Sequence, residues 1–434
     1  MSQSEKPASS MLTRYVQLGV LILVGGAIYP LVYLRQNFEV PIIESFGISI
    51  AELGQCYSML GVIFVITYLP SGWLADRAPP KWLLSVSLAL TGLLGIWFST
   101  MPGYHELLII FGGWGIATGL TFWAALIKGV AVLADRHEQG RFFGLLDGGR
   151  GLVEAILATI AITLFAYTLD SAGESTSSAL QNVIYLYIGY ALLLSPIVLF
   201  VLRDNADERK EGERKADGRA EGHGSSGQSL WQDTKSLAVN VDLWLAAFCL
   251  LCGYQLFWAT YSFAGYVQQI YGLTAVAAGT ITVAKLWTRP IGAIAAGFLG
   301  DRFNLEKTLA VLMLAGTITL TGLIYLPADA HVNILLGVVL LVGLTTYAIR
   351  GIYWATLDGC HIPNRTKGLA IGMMSFVGYA PDIYLPLVNG FLLERFPGKL
   401  GYSYYFSGIV FMGFLGTLAA WYLMIRASKR RKVS

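Results

Sequence analysis

The chain has 434 residues, of which 55% are hydrophobic and 13% charged, with a formal charge of +3; a soluble protein carries roughly 25% charged residues. Its apolar stretches are continuous and long enough to cross hydrocarbon, which excludes both a water-soluble globule and a transmembrane barrel built from short alternating strands. The fold class is an all-α membrane protein, and so small a net charge defines no partner.

In chain order, Met1 to Ser10 is polar and shows no cleavage pattern ahead of a short apolar core, so the first apolar segment is expected to stay in the mature protein. Twelve spans are predicted, at 14–45, 50–74, 82–101, 105–132, 141–168, 180–202, 242–267, 273–299, 307–326, 332–357, 366–393 and 401–426. The first exceeds one crossing and contains Pro30 and Pro41, which predicts a kinked helix. The segment 203–236 is mixed-charge and Gly-rich, as a solvated linker is. It divides residues 1–202, a six-helix bundle, from 237–434, a second bundle with a tail. Twenty-two of the 30 basic residues fall at the chain ends, in this linker or in loops on the same side, and the opposite loops hold only Arg395 and Lys399. Basic residues resist translocation, so both termini are expected in the cytoplasm. Cys249 and Cys252 form a CxxC inside an apolar span and are read as packing, with neither metal nor disulfide assigned.

Charge inside a span is expensive and marks a candidate functional residue. The basic ones are Arg35 (span 1), Lys128 (4), Arg150 (5), Lys285 and Arg289 (8) and Arg350 (10); the acidic ones are Glu39 (1), Asp147 and Glu154 (5) and Asp382 (11). Spans 3, 6, 9 and 12 carry none in their apolar cores. Arg150 and Glu154, at i and i+4, are placed to pair on one helix face. Lys128 and Asp147 lie nearer the cytoplasmic ends and are read as structural. Arg35, Lys285 and Arg289 lie deeper and are assigned to substrate binding together with Arg350. An excess of bases suits a carboxylate or phosphate, for which arginine offers a bidentate fork. Tyr29, Tyr33, Trp123, Tyr254, Trp287 and Trp354 could contact an organic moiety. Glu154 and Asp382, with Arg150, are candidates for proton coupling; the rival reading is a static pair of either acid with Arg150, Arg289 or Arg350.

The halves repeat each other at separations of about 225–231 residues. Gly72-Trp-Leu-Ala-Asp76-Arg77 answers Gly297-Phe-Leu-Gly-Asp301-Arg302, Phe46-Gly47 answers Tyr271-Gly272, and Glu154 answers Asp382. A GxxxDR at matching loops of a 6+6 chain resembles the major facilitator superfamily over the whole length. FWAALIKG, EQGRFFGLL and GYAPDIY are similar to the YihN-type bacterial group, and YLRQNF is similar to the first-helix segment of glycerol phosphate transporters in the organophosphate:phosphate antiporter branch. The resemblance implies two pseudo-symmetric bundles, with spans 3, 6, 9 and 12 facing lipid and the other eight surrounding a cavity. It also implies a cytoplasmic gate at Gly72, Asp76, Arg77, Gly297, Asp301 and Arg302. Those antiporters carry a second arginine on the seventh helix where this chain has Gly253, so phosphate exchange is not implied.

The expectation is a secondary active transporter of a small organic anion in the bacterial inner membrane, monomeric, driven by protons or exchange. No nucleotide-binding loop, cofactor, metal, nucleic-acid partner or enzyme chemistry is expected. A lipid or lysolipid flippase and a non-transporting sensor are the alternatives on the same fold.

Overall fold

The computed structural model describes residues 11–133, 139–170, 173–202, 235–360, 362 and 366–431. The predicted linker therefore lies outside the described residues except at 235–236, as do residues 1–10 and the side chains of Asp76 and Asp301. The first half contains α1 (Met11–Val32 and Arg35–Phe46), α2 (Ile50–Arg77), α3 (Pro80–Phe98), α4 (Tyr104–Gly115 and Trp123–Leu133), α5 (Gln139–Asp170) and α6 (Thr176–Val201). The second contains α7 (Val241–Ala259 and Phe263–Tyr271), α8 (Ala275–Leu286 and Thr288–Phe303), α9 (Leu305–Tyr325), α10 (Val332–Ile352), α11 (Lys367–Gly378 and Pro381–Arg395) and α12 (Lys399–Arg431). Eleven of these are long and apolar enough to cross a membrane. The twelfth, α8, is interrupted at Trp287 and carries Lys285, Arg289 and Arg302, so neither piece qualifies alone.

Local chemistry sets the ends. Gly47 and Gly272 close α1 and α7 in the left-handed region, at φ 61° and 65°; only glycine adopts it without strain, which explains why the repeat keeps both. Ser49 opens α2 with a capping box: its hydroxyl accepts from Glu52 N while Glu52 accepts from Ser49 N. At the other end of α2, Ala78 is held extended by Pro79, and Pro80 starts α3 at a position that needs no donor. The helix nevertheless reaches Arg77, and α8 reaches Phe303. Asp76-Arg77 and Asp301-Arg302 thus occupy last helical turns rather than the loops in which the sequence placed them, because the residues that end these helices, Pro79 and Asn304, come after them.

Five helices are broken near their middles, at Tyr33–Leu34, Ile116–Leu120 (a π-helical turn in α4), Thr260–Ser262, Trp287 and Tyr379–Ala380, and α10 runs on into a 3-10 stretch at Tyr353–Cys360. Phe38 also leaves helical geometry, at φ −134° and ψ 35°, in the turn where Pro41 removes a donor and crowds the carbonyl four residues back. The breaks in α1 and α7 come within one helical turn of matching positions of the repeat.

Across the halves α1 packs on α7, α2 on α11 and α5 on α8. The face holding both chain ends is here the terminal face. One apolar cluster runs through the second half and the opposite-face portion of the first, including Phe38, Leu60 and Phe165, whereas a separate cluster, including Leu21, Leu126 and Leu146, fills the terminal-face portion of the first. The two halves therefore share a core only toward the opposite face. Glycines record the same division. A Cβ at Gly61 would meet Asp382 backbone, and one at Gly390 would lie 2.6 Å from Ala51 Cα; at Gly72, Gly144, Gly148 and Gly297 nothing lies within 4 Å.

Candidate substrate-binding cavity

At the level of these breaks lies a cavity of about 110 Å³, several times what one water needs. Its lining comes from α1, α2, α4, α5, α7, α8, α10 and α11, and none of it from α3, α6, α9 or α12. Ten of the fifteen lining side chains are aromatic, seven of them tyrosines; the rest are Arg150, Arg289, Arg350, Glu154 and Asp382. Such walls combine apolar ring faces with hydroxyls that can donate or accept.

The charges are unequally engaged. Arg289 on α8 bonds Glu154 on α5 and lies 3.6 Å from Asp147, forming an ion cluster across the halves. Nearby, Trp287 Nε1 donates to Thr159 Oγ1 at 3.2 Å. Arg150 donates from Nε to Gly25 O at 3.1 Å, stands 3.9 Å from Asp147 and lies over Trp123 and Tyr29. The expected Arg150 to Glu154 pair is thereby corrected: Arg150 turns toward α1 and α4, leaving Glu154 to the arginine facing it from the other half. Asp382, at the break in α11, accepts from Tyr254 OH (2.7 Å) and Trp258 Nε1 (2.6 Å) on α7. Arg350 differs from both other cavity arginines. Its guanidinium lies 4.0 Å from the Phe257 ring centroid and 5.9 Å from that of Tyr254, and among the described residues it makes no ion pair or hydrogen bond.

Of the residues assigned from sequence, the structure gathers Tyr29, Tyr33, Trp123, Tyr254, Arg150, Glu154, Arg289, Arg350 and Asp382 around the cavity. Arg35, Lys285 and Trp354 do not line it. Arg35 is 1% exposed and bonds Glu39 at 2.5 and 3.1 Å and Asn389 of α11 at 3.1 Å, with Tyr57 beneath its guanidinium. It has turned toward the closed opposite face because Glu39, one turn on, supplies the counter-charge. Trp354 donates to Tyr379 OH at 3.1 Å, behind the wall. Lys285 is fully buried between α7 and α10. Lys128 donates from Nζ to Ala75 O near the end of α2. At the terminal face, Arg77 donates to Trp73 O and stacks on its ring, and Arg302 lies over Phe303.

Sequence reasoning missed Phe64, Tyr68, Phe257, Tyr261, Tyr347 and Tyr379 in the lining, and Trp258 and Asn389 as partners of charges. One signal was available. Tyr254, Phe257 and Tyr261 recur at helical spacing on a helix otherwise rich in small and aliphatic residues, and so form one aromatic face.

The family model described as Major Facilitator Superfamily matches residues 22–386. The chain is similar to the inner membrane protein YihN of Escherichia coli (strain K12), 27% identical over 97% of this chain and 98% of that one. It is similar also to the glycerol-3-phosphate transporter of Bacillus subtilis (strain 168), 22% identical over 91% and 90% of the two chains. Among solved structures, the nucleoside transporter NupG superposes with a TM-score of 0.70 at 13% identity, covering 94% of this chain and 99% of that one.

Proposed function

Because the chain belongs to the Major Facilitator Superfamily, it is a membrane transporter and not an enzyme, and we propose that its solute is a small organic anion carried by alternating access. One observation supports this most: Arg350 presents to the cavity a guanidinium that lies over the Phe257 and Tyr254 rings and, among the described residues, makes no hydrogen bond or ion pair. A cavity guanidinium that no carboxylate contacts has unfilled donors, and an anionic solute would pair with it and fill the bidentate fork. The tyrosine-lined walls suit a solute that also carries hydroxyls, of which the glycerol 3-phosphate of the Bacillus subtilis relative's name is an example.

The orientation is part of the proposal. With 22 of 30 basic residues on the terminal face, that face is cytoplasmic, the bundles are 1–202 and 237–434, and 203–236 is a cytoplasmic linker. A core shared only toward the opposite face then makes the present conformation inward-facing. Inside it, an incoming anion competes with Glu154 and Asp147 for Arg289, so that substrate occupancy loosens a tie between the halves. The drive is a proton gradient or exchange.

The test is flux into proteoliposomes of labelled sugar acids, sugar phosphates, dicarboxylates and lysolipids. Saturable flux of an anion that is lost in Arg350→Ala supports the proposal. Ligand binding without flux would make the chain a sensor, and lysolipid movement that survives Arg350→Ala would make it a flippase; either result overturns it.

A further inference from the structure

Lys285 has no role in the cavity, and its surroundings are unusual for an ammonium group. It sits in the last turn of the first segment of α8 and is 0% exposed. Its Nζ makes one long hydrogen bond, 3.5 Å to Thr260 O, and lies 5.8 Å from the Phe263 ring centroid. Its stem fills the space beside Gly343 on α10, where a Cβ would collide with it. Among the described residues no carboxylate pairs with it.

The charged and titratable groups on the surrounding elements are carboxylates already bonded to arginines, further cations, or tyrosine hydroxyls. On α5, Glu154 acts on Lys285 but is bonded to Arg289, with Asp147 beside the same arginine. On α1, Glu39 is held by Arg35. On α10 the groups are Arg350 and Tyr347, on α7 Tyr254, Tyr261 and Tyr266, and on α8 itself Arg289 follows one turn later. An ammonium buried without a counter-ion is among the costliest arrangements a protein can hold, whereas the neutral amine is tolerable. Meanwhile Thr260 Oγ1, at the same spot, is buried and lacks a partner. Both helices nearest Lys285 break beside it, α7 at Thr260–Ser262 and α8 at Trp287, so the lysine stands where each is free to bend.

We infer that Lys285 is the proton carrier of the transport cycle, unprotonated in this conformation and protonated in the opposite one. This rests on the transporter reading above and supplies its coupling ion. When the opposite face opens, the α1 and α7 contact parts, water reaches Nζ and its lone pair takes a proton from that side. Closure onto the present conformation strips that water, and Nζ gives its proton to the Glu154 carboxylate, which acts on it and lines the cavity, from where it passes to water on the terminal side. With the terminal face cytoplasmic, each cycle moves one proton inward beside the anion, so the protein is a proton-driven importer.

The test needs no substrate. Spin labels at Leu145→Cys on α5 and Phe303→Cys on α8, both exposed at the terminal face, report the separation of the halves by double electron–electron resonance; the four native cysteines are buried. Between pH 9 and pH 5 the otherwise native protein is expected to shift from the long distance of this conformation toward a shorter one. Lys285→Met is expected to hold the long distance throughout, and Lys285→Arg the short one. A pH response kept in Lys285→Met, or none in the native protein, overturns the inference while leaving anion transport untouched. If Lys285→Arg does not fold, proton flux accompanying solute uptake decides: flux that is lost in Lys285→Met supports the assignment, and flux that persists refutes it.

Discussion

At the scale of single residues, the charges divide by what they touch. Among the described residues Arg350 makes no ion pair, so its removal breaks none, while Arg35 is locked to Glu39 and Asn389. Arg350→Ala is therefore expected to leave the melting temperature close to native and to abolish anion binding. The loss is roughly thirty-fold to several thousand-fold in affinity, the usual range of about 2–5 kcal/mol for a buried charge contact. Arg350→Lys, which keeps charge but not the planar fork, should fall between. Arg35→Ala should do the reverse, costing about 3–5 kcal/mol of stability because Glu39 is left buried and alone. Thermal unfolding with and without ligand separates the two; a stable Arg35→Ala that cannot bind would return Arg35 to the substrate site. Asp382→Asn preserves an acceptor for Tyr254 and Trp258 and should fold normally. If Asp382 matters only as that acceptor, the variant transports; if its charge is used, flux is lost with binding retained, and the same two assays distinguish these outcomes.

At the scale of elements, the small residues of α2 and α11 set how closely the opposite face can shut. A Cβ at Gly54 would run into Pro386 O and one at Gly61 into Asp382 backbone, and backbone cannot step aside as a side-chain tip can. Gly54→Val should thus hold that face ajar. In an Asn389→Cys background, where position 389 is 1% exposed in the closed form, it should raise the rate of modification by an impermeant maleimide several-fold. An unchanged rate would mean that α2 and α11 do not form the seal. Much of this element-level order was legible in the sequence: spans followed from apolar length, the kink in α1 from its prolines, and six of the eight cavity-facing helices from which spans carried charge, whereas α2 and α7, which carry none in their apolar cores, followed only from the family resemblance. What was not legible was side-chain direction. Arg150 to Glu154 spacing allows a pair, yet a backbone carbonyl on α1 and an arginine on α8 outcompete it, and neither competitor is near in sequence. The tyrosines were equally hidden, because one aromatic in an apolar span reads the same whether it faces lipid, core or cavity.

At the scale of the whole molecule, the repeat becomes a mechanism. The pseudo-two-fold relation carries α2 to α8 and α5 to α11, so the α2 with α11 and α5 with α8 contacts are equivalent seams, and in the proposed alternating access rocking about them exchanges which face is closed. On the orientation proposed from the charge asymmetry, tags inserted at 203–236 and at the C-terminus are expected to report cytoplasm, and a periplasmic signal from either would reverse the inward-facing assignment. The central claim is that the cavity binds an anion through Arg350. Its most direct test is the shift in melting temperature of the purified protein across sugar acids, sugar phosphates, dicarboxylates, neutral sugars and lysolipids, run in parallel on Arg350→Ala. The account predicts stabilisation by at least one hydroxylated anion, none by neutral sugars or lysolipids, and none by that anion in Arg350→Ala; stabilisation by a neutral sugar or lysolipid alone, or an anion effect that survives Arg350→Ala, would contradict it.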